Sequence, residues 1–188
     1  MNFRQTDIDG VWVIEPNIFQ DHRGQFLETF REEYFSKHGL NYSFVQDNIS
    51  TSVKNTLRGL HYQKLPHAQA KLVMAIRGTI LDVAVDLRKD SKTFGKSFST
   101  ILSEDNRHMM LVPEGFAHGF SVISDHATVL YKCTSYYNKE SERGIFWDDP
   151  ELGIDWKIDS PIISEKDAVL PTLKNLPEED MFSSIKKD

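Results

Sequence analysis

Cysteine is almost absent: Cys133 is the only one in 188 residues, so no disulfide can form within the chain and a reducing compartment is expected. An excess of positive charge is missing too. The net charge is −6, against a general nucleic-acid binder, which would present a basic face. A small phosphorylated ligand stays open, because two or three well-placed Arg or Lys hold one locally. No apolar run approaches the ~20 residues of a membrane span. The opening stretch, Met1 to Asp7, lacks the apolar core of a signal peptide. The expectation is a cytoplasmic protein with neither membrane nor nucleic acid as partner. Long helical periods, internal repeats and low-complexity tracts are also lacking. The length fits one domain over 1–188 with a sizeable core, and 39% hydrophobic with 27% charged residues is ordinary globular composition.

What is present is a series of short strands and turns. Val11 to Pro16 is a β-rich run ended by proline, Asp21-His22-Arg23-Gly24 reads as a turn, and Gln25 to Glu28 as a further strand. Thr29 is placed to cap a short helix over Phe30 to His38, with Gly39 to end it. Leu72 to Ile76 is an apolar strand. In Ile80 to Arg88, Leu81, Val83, Val85 and Leu87 face one way and Asp82 and Asp86 the other, the period of a half-buried strand. Ser97 to Leu102 and Met109 to Val112 follow. Ala127, Val129, Tyr131 and Cys133 then share one strand face. Ser164-Glu165-Lys166-Asp167 resembles a capping box that opens a short helix stopped before Pro171, and Ser183 to Asp188 reads as a frayed end. Turn signals roughly every 8–12 residues predict a sandwich or barrel.

The chemistry-bearing residues fall in three separated segments: Arg58, His61 and Lys71; His118; and Tyr131. Pro113-Glu114-Gly115-Phe116-Ala117-His118 has the P-x-G-x-x-H spacing of cupin jelly rolls, where the turn aims the histidine into the barrel. Cupins pair it with an earlier H-x-H and a downstream Glu to hold a metal. Here that segment is His61-Tyr62-Gln63, with no Glu until Glu104, a poor donor set for a transition metal. The expectation is a retained barrel, no metal and no cofactor. A metal-free pocket can work by acid–base chemistry: an imidazole takes a proton, a cation holds the oxyanion and a phenol returns a proton. His61 is the base candidate, or a satisfied structural histidine. Asp167 is the carboxylate chosen to orient it, although spacing alone does not bring the two together. Tyr131 points inward with Val129; the commoner reading of such a tyrosine is a core residue bonded to backbone. Lys71 is either a surface lysine or the cation at a barrel mouth. Arg58 and Arg23 lie beside glycines, which suits phosphate, and Gln46-Asp47-Asn48 offers donors and acceptors for a base or sugar. His22, His38, His67, His108 and His126 fit no such spacing.

Nine ordered blocks resemble the dTDP-4-dehydrorhamnose 3,5-epimerase family over nearly the whole length. They include Phe19 to Gly24 with Glu28, Val45 to Asn48, Leu57 to Gln63, Gln69 to Val73, Asp82 to Arg88, Pro113 to Phe120 and Trp147 to Pro150. The resemblance implies a mainly β, cupin-type double-stranded β-helix with short peripheral helices. It also implies a cofactor-free cytoplasmic homodimer, with N-terminal strands in the interface and a short helical C-terminal tail. The implied reaction inverts C3 and C5 of a nucleotide-diphosphate-linked 4-keto-6-deoxyhexose through enolates. Implied roles are His61 as base oriented by Asp167, Tyr131 as acid, and Lys71 on the C4 enolate oxygen. Arg58 and His118 would line the sugar–pyrophosphate site. Arg23, Glu28, Gln46, Asp47 and Asn48 would contact nucleotide or phosphate, some across the dimer, and Tyr137 would stack on the base, with Glu142 and Lys166 at further contact positions. Relatives that invert one centre, or use GDP- or CDP-linked sugars including heptoses, are the alternative, and a metal-dependent cupin enzyme the second. Met74, where the family often has a basic residue, and Trp156-Lys157, where it often has Trp-Pro, are departures outside the acid–base set.

Overall fold

The computed structural model describes residues 1–183, so the end expected to fray lies, apart from Ser183, outside the described residues. Strands β1 (Asn2–Gln5) and β2 (Trp12–Glu15) open the chain, and β3 (Ile18–Asp21) and β4 (Gly24–Leu27) form a separate hairpin before helix α1 (Glu32–Ser36). Next come β5 (Gln46–Val53), β6 (Leu57–Gln63), β7 (Lys71–Arg77) and β8 (Thr79–Asp86). The series closes with β9 (Ser97–Ser103), β10 (Met109–Val112), β11 (Phe116–Val122), β12 (His126–Cys133) and β13 (Glu142–Gly144). Two antiparallel sheets result, one ordered β1-β2-β10-β7-β12-β5 and the other β13-β6-β11-β8-β9. The expected cupin-type jelly roll is what forms.

Alternation decides what fills the space between the sheets. Val73, Ala75, Ala127 and Val129 from the first sheet meet Ile80, Ala84, Phe120 and Val122 from the second. The opposite face of β8 is not wet, a correction to the half-buried reading. Leu81, Val83, Val85 and Leu87 pack under a C-terminal cover that includes Trp156, Leu173, Leu176 and Phe182. Each such buried side chain is worth roughly 1.5–3 kcal/mol, which accounts for a tail lying along the sheet. Asp82 and Asp86 therefore face the interior, both fully buried. Asp86 is balanced there by Arg88, Ser91 and Thr93 at 2.7–2.9 Å.

The helix is shorter than expected. Thr29 caps nothing; Arg31 is the N-cap residue, in extended conformation and without a side-chain cap. Phe30 is held instead by packing on Phe35 and Phe44, at ring separations of 4.9 and 5.1 Å, which keeps the preceding chain from winding. Gly39 does end the element, at φ +73°. In the tail, Ser164 Oγ accepts the Asp167 N–H at 3.1 Å as a cap should, but only a 3-10 turn over Asp167–Val169 forms before Leu170 turns extended ahead of Pro171.

Two local devices aim the site. Pro113-Glu114-Gly115 carries the chain from β10 in one sheet to β11 in the other, and a Cβ on Gly115 would sit 2.7 Å from Arg88 Cγ. On β6 the pairing with β11 shifts between His118↔His61 and Phe120↔Arg58, so three steps on one strand match two on the other. This bulge turns Arg58 and His61, an odd spacing apart, toward the same interior. It needs Gly59 at φ +130°, where a Cβ would meet Gly119 Cα at 2.5 Å.

Candidate active site

The cavity between the sheets has two lobes, of about 430 and 490 Å³, that share His61, Lys71 and Tyr131 in their walls. His61 comes from β6 in the five-stranded sheet, and Lys71 and Tyr131 from β7 and β12 in the facing six-stranded sheet. The imidazole and the phenol thus flank one space from opposite sides.

His61 Nε2 lies 2.7 Å from Asp167 Oδ1, across 106 residues of sequence. Burial pushes the Asp167 carboxyl up, but the His61 ring, the Gly59 N–H and Ser164 outweigh it and hold the group below its ordinary range. An ionised carboxylate accepting from Nε2–H leaves Nδ1 as the nitrogen free to take a proton. The Tyr131 hydroxyl makes no hydrogen bond among the described residues, unlike that of the core Tyr62, which donates to the Asp180 carbonyl at 2.9 Å. Burial pushes the Tyr131 phenol up, Cys133 adds to this and Arg58 opposes it. The phenol therefore keeps its proton at neutral pH. Lys71 alternates inward with Val73 rather than outward as a surface lysine would, and its ammonium has no hydrogen bond or ion pair among the described residues. Burial lowers its pKa, while Cys133, Asp82 and Glu142 raise it.

Around this trio the first lobe carries Gln46, Asn48, Tyr137 and Glu142. The Tyr137 hydroxyl donates to Glu142 at 2.9 Å, and Lys166 pairs with the same carboxylate at 2.6 Å. The second lobe carries Arg58, His118 and Lys166. Arg58 donates to Ser52 at 3.0 Å, and His118 pairs with Asp82 at 2.8 Å. Three expected contact residues lie elsewhere. Asp47 alternates to the outer face of β5, where Lys132 holds it at 2.8 Å. Arg23 pairs with Asp21 at 2.5 Å and Glu28 with Arg31 at 2.7 Å; neither lines either lobe. Contacts that sequence reasoning missed are Gln69 and Cys133 in the first lobe, Ser50 in the second, and Asp82 behind His118. The strand parity that placed Tyr131 also carried Cys133 and, on β8, Asp82.

Gln63, where a cupin would have its second histidine, is spent on backbone. It donates to the His67 and Tyr136 carbonyls at 2.6 and 3.1 Å and accepts the Asn138 N–H at 2.6 Å. Among the described residues no three of His, Cys, Asp and Glu gather as metal ligands. Nor is any described helix long and apolar enough to cross a membrane.

Fold and cavity together define a cupin-type enzyme equipped to move protons. The profile of the dTDP-4-dehydrorhamnose 3,5-epimerase family matches residues 5–175, and the chain belongs to that family. It is 51% identical to dTDP-4-dehydrorhamnose 3,5-epimerase of Methanothermobacter thermautotrophicus over 178 residues, 93% of this chain and 96% of the relative. A dTDP-6-deoxy-D-glucose-3,5-epimerase of Legionella pneumophila, solved with dTDP-4-keto-L-rhamnose, superposes with a TM-score of 0.94 at 44% identity over 97% of each chain. A 3′-monoepimerase of Streptomyces bikiniensis, in complex with dTDP-quinovose, reaches a TM-score of 0.87 at 36% identity over 91% of this chain and 87% of its own.

Proposed function

We propose that this protein, as one domain over residues 1–188, epimerises dTDP-4-dehydro-6-deoxy-D-glucose at C3 and C5 to dTDP-4-dehydro-L-rhamnose. The observation that carries the reading is that His61 and Tyr131 line the same cavity from facing sheets, with Lys71 between their lobes. Both C3 and C5 are next to the C4 ketone, so their C–H bonds are acidic and either loss gives an enolate. His61, oriented by Asp167, takes the proton and the electron pair moves to the C4 oxygen. Lys71 donates to that oxygen, where charge develops in the transition state. Tyr131 then protonates the carbon from the other face, so the centre inverts. The base and acid return to their starting states by proton exchange with water. The nucleotide fits the first lobe, with Tyr137 as a stacking face, Gln46, Asn48 and Glu142 as polar contacts, and Arg58, His118 and Lys166 toward the pyrophosphate and sugar.

Incubation with dTDP-4-dehydro-6-deoxy-D-glucose in deuterated water, followed by proton NMR, is expected to show deuterium entering at both C3 and C5. Uptake at one carbon alone would make this a one-centre epimerase, like the 3′-monoepimerase of Streptomyces bikiniensis.

The reading extends to a cytoplasmic homodimer. The β3–β4 hairpin joins neither sheet and leaves Phe19 60% and Phe26 69% exposed, while edge strand β5 leaves Ile49 65% exposed. Such apolar, unpaired strands are the usual material of a two-fold interface, and one would let Arg23 and Glu28 of the hairpin reach a second copy's nucleotide lobe. Sedimentation is expected to give twice the chain mass; a stable monomer that turns over substrate would contradict the shared site.

A further inference from the structure

The acid–base set leaves one buried charge unexplained. Asp82 sits on β8 at 0% exposure, facing the interior between Ile80 and Ala84. One oxygen is 2.8 Å from His118 Nε2, the diagonal neighbour across the β8–β11 ladder; the other is buried with no hydrogen-bond partner. A carboxylate so placed is expensive to bury unless a nearby positive charge offsets it. Lys71 has the complementary problem: it makes no ion pair among the described residues, and burial disfavours its charge.

We propose that Asp82 is a positioning residue for the reaction: its carboxylate fixes the His118 ring against the sugar lobe and supplies the buried negative charge that balances Lys71. This rests on the reading of Lys71 as the enolate's partner. The other titratable and charged groups facing the cavity with Lys71 are Tyr131 and Cys133 from β12, Arg58 and His61 from β6, His118 from β11, Glu142 from β13, Tyr137, and Lys166 and Asp167 from the C-terminal segment. Of these Glu142 and Asp167 are the other carboxylates, and both are already engaged, Glu142 by Lys166 and Tyr137 and Asp167 by His61.

Asp82→Asn removes the charge but retains an oxygen for the His118 N–H. In this variant the alkaline limb of the kcat profile is expected to move down by about one pH unit, with a roughly tenfold lower plateau. KM and dTDP binding should stay near wild type. In parallel, NMR of the enzyme labelled at lysine Cε follows Lys71 itself, its resonance assigned by Lys71→Arg; its titration midpoint is expected to fall in Asp82→Asn and to hold in Glu104→Gln, a carboxylate outside the cavity. If Asp82→Asn does not fold, Asp82→Ser is read in the same two ways. An unchanged midpoint and an unchanged alkaline limb would overturn the inference. The NMR arm needs no substrate, so a wild-type enzyme without epimerase activity would sink the functional reading while still reporting on Asp82.

Discussion

Replacing His61 by asparagine is expected to abolish turnover while leaving dTDP binding in place. The ring is removed but an amide remains that can still meet Asp167, whose carboxylate is held 2.7 Å from the imidazole in the native site. What disappears is the imidazole that lines both lobes, couples to Asp167 and keeps a second nitrogen free for the substrate. Positioned general bases contribute roughly 10²–10⁴-fold, and a loss in that range is expected in kcat. KM should change little, because the nucleotide contacts Gln46, Asn48, Tyr137 and Glu142 are separate side chains of the first lobe that the substitution leaves in place. Steady-state kinetics with a calorimetric titration of dTDP checks both halves. Retained turnover would remove His61 from the mechanism; lost binding would make it a structural histidine.

Tyr131→Phe is the second large effect. It deletes one oxygen, and that oxygen has no hydrogen bond among the described residues to lose. The fold should therefore be untouched, with a melting temperature equal to or above that of the wild type, since burial of the phenol goes with partial loss of its hydration. Product formation, by contrast, is expected to drop by roughly 10²–10³-fold, the cost of removing a positioned acid. Stability and activity moving in opposite directions is what separates this from a core tyrosine bonded to backbone, where both would fall together.

Much of this site was legible from the residues. The alternation Ala127, Val129, Tyr131, Cys133 assigns the inner face of β12, and the P-x-G-x-x-H turn assigns His118, because both signals are local. Arg58 and His61 were legible as types but not as neighbours. An odd spacing reads as opposite faces, and only the bulge at Gly59, forced by the close approach of Gly119, reverses that. Asp82 was misread for a related reason: a carboxylate alternating with valines looks solvated until the other face of the strand proves to be covered as well. Asp167 was named as the orienting carboxylate on chemistry and resemblance, with no spacing behind it, since a contact spanning 106 residues leaves no trace in periodicity. Asp47 followed Gln46 and Asn48 by adjacency alone, and strand parity turns it outward to Lys132. The helix before β5 was overextended because capping signals weigh less than the aromatic packing of Phe30.

Two groups on opposite walls, one removing and one returning a proton, make a separable prediction. Deuterium uptake at C3 and C5 reports abstraction, and the stereochemistry of the recovered sugar reports delivery. Measured together in deuterated water, Tyr131→Phe is expected to keep exchanging deuterium from the His61 side while forming almost no inverted sugar, and His61→Asn to do neither. Inversion by Tyr131→Phe at the wild-type rate, or exchange by His61→Asn at the wild-type rate, would contradict the two-wall mechanism.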